Sequence, residues 1–107
     1  MSRSDIRFFT ELETIIQQRL SAGSNESYTA RLVASGDKRV AQKVGEEALE
    51  LALAAAAGDR QEQLEESADL LYHLTVLLTS KGIRLAEVAA VLRSRHSVSG
   101  ARDKRTT

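Results

Sequence analysis

Four carboxylates in two matched pairs are the side chains of this sequence best placed to do chemistry. Glu47 and Glu50 stand three apart, and so do Glu66 and Asp69. In a helix, that spacing puts both members of a pair on one face, one turn above the other. Two like charges so placed cost roughly 0.2–0.5 kcal/mol on an exposed helix. Repeating that cost on two neighbouring helices implies a cation that offsets it. Carboxylates converging from two antiparallel helices make a hard, all-oxygen site suited to Mg2+ or Mn2+. Winding the central helix, which carries Glu47 and Glu50, at about 100° per residue puts Arg39, Lys43, Glu46 and Glu50 in one stripe. Glu47 falls where that stripe borders the apolar one of Val40, Val44, Leu51 and Ala55. Carboxylates for a metal, with bases on the same element, suit a metal–polyphosphate substrate: the metal bridges phosphate oxygens and the bases neutralise the remainder. Charge and position make Lys38, Arg39 and Lys43 the phosphate-binding candidates, and the helix N-terminus at residues 37–39 adds backbone N–H groups. On the helix that follows the central one, Glu62, Glu66, Asp69 and His73 form a comparable stripe.

Plainer readings compete with these. Acidic helix faces with lysines nearby are often solvated surfaces laced with i,i+4 pairs, which would make the chain a non-catalytic helical interaction module. His73, next to Tyr72, reads first as a hydrogen-bonded core residue and second as a neighbour of the metal. Gly45 costs about 1 kcal/mol relative to Ala inside a helix; it marks close approach by a ligand or a second helix, or is simply tolerated. A di-iron bundle needs Glu-x-x-His pairs on two helices, and neither His73 nor His96 follows a Glu by three.

The elements that must position these groups are helical throughout. One hundred and seven residues make one domain with a modest core. Apolar content of 42% with 28% charged residues is globular, and the chain has 4% aromatics and no Pro, so nothing breaks its runs of helix formers. Net charge is zero, which gives no basic field for nucleic acid. The absence of Cys removes disulfides and thiolate sites and fits a reducing cytoplasm. No signal peptide or membrane span is read from the N-terminus or the apolar runs. Helical spacing predicts a first helix over Asp5–Leu20, capped by Ser4, with an apolar stripe of Phe8, Phe9, Leu12, Ile15, Ile16 and Leu20, then a loop over 21–25. A short helix over Tyr28–Ser35 follows, with Ser27 as cap and Gly36 as left-handed terminator. Asp37 is expected to cap a central helix over Lys38–Ala57 that stops at Gly58, its run Ala54 to Ala57 marking a close helix contact. Asp59 with Glu62 resembles a capping box for a helix over Arg60–Ser80, and a last helix spans Leu85–His96. Residues 97–107, with Arg102, Lys104 and Arg105, read as a disordered, solvated tail. The stretch Leu70–Leu78 is apolar around most of its circumference and asks for burial on all sides. So short a chain has too few helices for that, which predicts a second subunit. The fold expected is an all-α antiparallel bundle of four to five helices, completed by homodimerisation.

Several segments together resemble a known family. Ser27-Tyr28-Thr29-Ala30-Arg31-Leu32, Gly36-Asp37-Lys38-Arg39, Gln42-Lys43-Val44-Gly45-Glu46-Glu47, Glu66-Ser67-Ala68-Asp69-Leu70-Leu71-Tyr72-His73 and Val91-Leu92-Arg93-Ser94-Arg95-His96 are similar to phosphoribosyl-ATP pyrophosphohydrolases, all-α nucleotide pyrophosphohydrolases of the MazG type. The E-x-x-E and E-x-x-D signature alone carries only the superfamily; the other segments carry the specific likeness, which runs to His96. The resemblance implies Mg2+-dependent hydrolysis of phosphoribosyl-ATP to phosphoribosyl-AMP and pyrophosphate, the second step of histidine biosynthesis, by a homodimer or higher homo-oligomer. Carried over, Glu47, Glu50, Glu66 and Asp69 are metal ligands, and Glu46 is a further ligand or, with Glu47, the base for the attacking water. Tyr28 and Arg31 are placed at the nucleotide, since aromatics for base stacking are few. With no Cys and one domain's length, the monofunctional form is expected. Arg84 departs from the capping residue expected before the last helix. A MazG-type housekeeping pyrophosphohydrolase acting on ordinary nucleoside triphosphates shares the four carboxylates and is the rival enzyme.

Overall fold

The structure is a computed structural model that describes residues 5–23 and 27–96. Among these residues it forms five helices and no strand: α1 (Phe8–Ala22), α2 (Tyr28–Ala34), α3 (Asp37–Ala57), α4 (Arg60–Ser80) and α5 (Leu85–His96). The all-α expectation holds. The expected cap at Ser4 and the tail 97–107 lie outside the described residues.

Local chemistry sets most of the boundaries. The Ser27 hydroxyl accepts the Ala30 N–H at 3.1 Å, and the Asp59 carboxylate accepts the Glu62 N–H at 3.0 Å. Both satisfy donors that a helix start leaves open. Gly58 ends α3 in the left-handed conformation, φ 77° and ψ 17°, so that the Asp59 N–H reaches the Ala54 carbonyl at 3.2 Å.

Four local expectations are corrected. The first helix starts at Phe8 rather than Asp5, because the Asp5 carboxylate accepts the Arg7 N–H at 2.8 Å and pairs with its guanidinium at 2.6 Å, building a turn ahead of the helix. It runs on to Ala22, so Ser21 is helical; its hydroxyl donates to the Gln17 carbonyl at 3.1 Å. Gly36 has positive φ but is extended, φ 112° and ψ 157°, a region essentially reserved for glycine. It, not Asp37, occupies the cap position of α3. Asp37 is the first helical residue, and its carboxylate accepts Lys81 Nζ at 2.6 Å, tying the start of α3 to the end of α4.

The hairpin of α3 and α4 is the most extensive packing in the molecule, and α1 and α2 lie against it. Ile16, Leu32, Val40 and Val76, one from each of α1 to α4, form the core, with Leu12, Leu20, Val33, Tyr72 and Leu77 against it. The buried seam of α3 runs through Val40, Glu47 and Ala54, with Val44 and Leu51 half-buried. Glu47 thus lies in the middle of the seam rather than at its edge. The seam takes Ala54 in place of Ala55; residues 55–57 are exposed, so the Ala run supplies one close contact only. Helix α5 contributes no buried residue. It is held by its start: Glu13, buried in α1, accepts the Leu85 N–H at 2.6 Å and Arg84 Nη2 at 3.4 Å. Glu87 Oε2 accepts the Arg84 N–H at 3.0 Å. The cap that Arg84 does not provide therefore comes from two glutamates. No helix of the described residues is long and apolar enough to cross a membrane.

Candidate active site on the central hairpin

Helix α3 brings Glu47 to the centre of its packed face, where the residue is 7% exposed. A carboxylate that deep needs hydrogen bonds to offset its lost hydration. It finds them across the hairpin: His73 Nδ1 lies 2.7 Å from Glu47 Oε1, and Lys43 Nζ lies 3.8 Å from Oε2. The same Nδ1 faces the Asp69 carbonyl at 3.1 Å. Two oxygens on one ring nitrogen require it to carry the proton. The other nitrogen, Nε2, is 2.8 Å from the Tyr28 hydroxyl, which donates to it when the ring is neutral. Tyr28 and Tyr72 both meet the imidazole edge-on, at centroid distances of 5.7 and 5.2 Å. One residue along from Tyr28, the Thr29 hydroxyl bonds that of Tyr72, which also accepts Arg19 Nη1 at 3.3 Å. Tyr28-Thr29 of α2 is thereby matched to Tyr72-His73 of α4.

The second carboxylate group sits along the same hairpin. Glu66 is half-buried, and its Oε1 is shielded from solvent without a hydrogen-bond partner. Burial pushes its carboxyl above the ordinary range, reinforced by the adjoining Glu50 carboxylate and then by the charges of Asp69 and Glu62. Glu50, Glu62 and Glu66 line an open pocket of about 360 Å3, floored by Leu53, Ala54 and Ala57. Among the described residues no three acidic or histidine side chains already stand in a ligating arrangement: Glu47 is turned to His73, and Asp69 is exposed. The hairpin therefore gathers the charges of Glu50, Glu62 and Asp69 around Glu66 and commits one oxygen of Glu47 to His73. An all-carboxylate group with a buried, unpartnered oxygen fits a hard divalent cation, which would neutralise the repulsion.

The remaining expected residues surround this core unevenly. Lys43 is beside Glu47, as its spacing requires. Lys38, Arg39 and Arg31 are exposed and form no ion pair among the described residues. Glu46 is exposed too, its Oε2 accepting Gln42 Nε2 at 3.1 Å. Tyr28 leaves 46% of its surface open while its hydroxyl is engaged by His73. His73 is the hydrogen-bonded core residue that the sequence indicates, but its bridge to Glu47 and the buried Glu13 carry no local signal, since their partners lie 26 and more residues away.

Comparison with known proteins now fixes the class and then the family. The class is an all-α helical protein. The sequence profile described as phosphoribosyl-ATP pyrophosphohydrolase matches residues 9–96, and the chain belongs to that family. It is similar to the phosphoribosyl-ATP pyrophosphatase of Pyrobaculum aerophilum, 52% identical over 89 residues, which are 83% of this chain and 95% of that protein. It is also similar to the histidine biosynthesis bifunctional protein HisIE of Vibrio cholerae, 50% identical over 87% of this chain and 44% of that protein. The Escherichia coli HisIE is 53% identical over 83% of this chain and 44% of its own length. The chain thus spans less than half of the bifunctional relatives that it matches.

Proposed function

We propose that this chain hydrolyses phosphoribosyl-ATP to phosphoribosyl-AMP and pyrophosphate, the second step of histidine biosynthesis, in a reducing cytoplasm. Water adds across a P–O–P link of the triphosphate and pyrophosphate leaves. The likeness to a pyrophosphatase of nearly equal length supports the substrate. The observation that carries the site is Glu66, whose solvent-shielded oxygen lacks a partner while the carboxylates around it push its carboxyl up. Glu47, Glu50, Glu66 and Asp69 would hold Mg2+, or Mn2+ in its place. When bound, the ion neutralises the polyphosphate and polarises its phosphoryl oxygens. The chain's own residues then position and neutralise. Lys43, with Lys38 and Arg39 one turn earlier, faces the phosphates. Tyr28 and Arg31 face the nucleoside. Glu46, exposed beside the pair, orients the attacking water, or Glu47 does so. A second copy of the chain covers the apolar surface and completes each site.

The test is pyrophosphate release from phosphoribosyl-ATP with Mg2+, with and without EDTA, against ATP and dNTP controls. Release from phosphoribosyl-ATP alone, abolished by EDTA, is expected. Equal or better cleavage of dNTPs would replace the biosynthetic reading with a housekeeping pyrophosphohydrolase, and silence on all substrates would favour an interaction module. Glu50→Gln and Asp69→Asn should each lower kcat/KM by about a hundredfold or more, the scale of a lost electrostatic group. Retained activity in both variants would remove the ligand assignment.

A further inference from the structure

We infer that His73 is a positioning residue: it orients the Glu47 carboxylate, and through Tyr28 it couples α2 to the cation-binding side chains of the hairpin. This rests on the metal-dependent reading above. The geometry shows a side chain gripped from every direction. Nδ1 donates to Glu47 Oε1 at 2.7 Å and to the Asp69 carbonyl at 3.1 Å. Nε2 meets the Tyr28 hydroxyl at 2.8 Å. The two tyrosine rings stand at 82° and 89° to the imidazole, so it cannot swing without breaking three hydrogen bonds and two ring contacts. Both His73 and Glu47 are 7% exposed.

Such a clamp has a specific consequence for Glu47. One oxygen, Oε1, is consumed by the imidazole. The other, Oε2, is left toward Lys43, with its plane fixed by the bond to its twin. A carboxylate so fixed presents a ligand oxygen without first giving up rotamer freedom. Hydrogen-bond partners that orient a ligating side chain are typically worth about 10–100-fold in metal affinity or activity. The clamp also has an outward end. Tyr28 opens 46% of its surface, so a ligand that presses on the tyrosine acts on Glu47 through the imidazole. Tyr28 and Glu47 belong to different helices, and His73 is the only side chain bonded to both among the described residues.

The experiment is Mn2+ titration calorimetry on the full chain, together with thermal melting of each metal-free protein. His73→Phe keeps a ring and removes all three hydrogen bonds; it should weaken Mn2+ binding about 10–100-fold. His73→Asn places an amide donor where Nδ1 stands and should restore most of that affinity. His73→Gln mimics Nε2, keeps only the Tyr28 contact, and should not. A merely structural histidine would lower the melting temperature of His73→Phe and leave Mn2+ affinity as in wild type, and that result would overturn the inference. Restoration by Gln rather than Asn would overturn it as well. Should His73→Phe fail to fold, the contrast between Asn and Gln decides. Wild-type protein that binds no Mn2+ would remove the metal-dependent reading and this inference together, whereas unaltered binding in His73→Phe would remove this inference alone.

Discussion

At the residue scale, Glu66 is the group whose charge the fold tolerates least. Burial and three neighbouring carboxylates raise its pKa, so ionised Glu66 works against the folded state. The stability it contributes is fully present below the ordinary carboxylate range and is lost as pH rises through the raised value. Glu66→Gln is neutral at every pH and escapes that loss. Without divalent cation, the melting temperature of Glu66→Gln relative to wild type should therefore climb from acidic to neutral pH. Mg2+ should then stabilise wild type more than the variant. Melting curves from pH 4 to pH 8 with and without Mg2+ check this, and a gap that ignores pH would refute the crowding. This repulsion was legible in the sequence, because helical spacing alone puts Glu66 and Asp69 on one face. The position of Glu47 at the centre of the buried seam was not. A difference of one residue in the buried set, Ala54 for Ala55, rotates the packed face, and composition does not resolve so small a rotation. Nor does spacing along one helix say which imidazole on another will meet a carboxylate.

At the scale of elements, boundaries followed the sequence wherever one residue decides them. Ser27, Asp59 and Gly58 act through bonds to groups within five positions, so their chemistry reads locally. Asp37 failed as a cap because a lysine 44 positions away took its carboxylate. Gly45 resolves toward tolerance within the chain itself, since a Cβ there would meet nothing within 4 Å. The attachment of α5 is the least readable feature, resting on a glutamate 72 positions before the N–H it accepts. That bond is charge-assisted and serves a helix start, where a carboxylate also meets the positive end of the helix dipole. Removing it with Glu13→Ala should cost about 1.5–3 kcal/mol, while Glu13→Gln, still an acceptor, should recover part of the loss. Hydrogen exchange should speed up in α5 of Glu13→Ala well before it does in α3 and α4. Uniform acceleration across all helices would mean that Glu13 supports the core rather than the α5 junction.

At the scale of the whole molecule, the balance of apolar surface is that of an incomplete unit. Among the described residues the buried apolar side chains are Ile16, Ala30, Leu32, Val40, Ala54 and Val76, two of them alanines. Against these stand twelve exposed large apolar residues, among them Leu49 and Leu53 of α3, Leu64 and Leu71 of α4, and Val88, Val91 and Leu92 of α5. Monomers rarely leave large contiguous apolar surface in water. Phe8, Phe9, Leu12, Leu64 and Leu71 line an open, almost wholly apolar groove of about 430 Å3 between α1 and α4. Among the described residues, the apolar circumference of α4 thus finds partners on one side and none on the other, and the second copy proposed above would supply an equally apolar face. Sedimentation equilibrium should accordingly return at least twice the chain mass of 11.7 kDa. Leu64→Glu combined with Leu71→Glu puts two charges into the groove at positions already 51% and 38% exposed, so each chain keeps its own packing while association is opposed. That variant should sediment as a single chain with its helical circular dichroism retained. If each site is completed by the partner, as proposed, it should also lose pyrophosphate release. A single chain with full activity would confine the site to one hairpin, and a wild type that sediments at 11.7 kDa would remove the dimer.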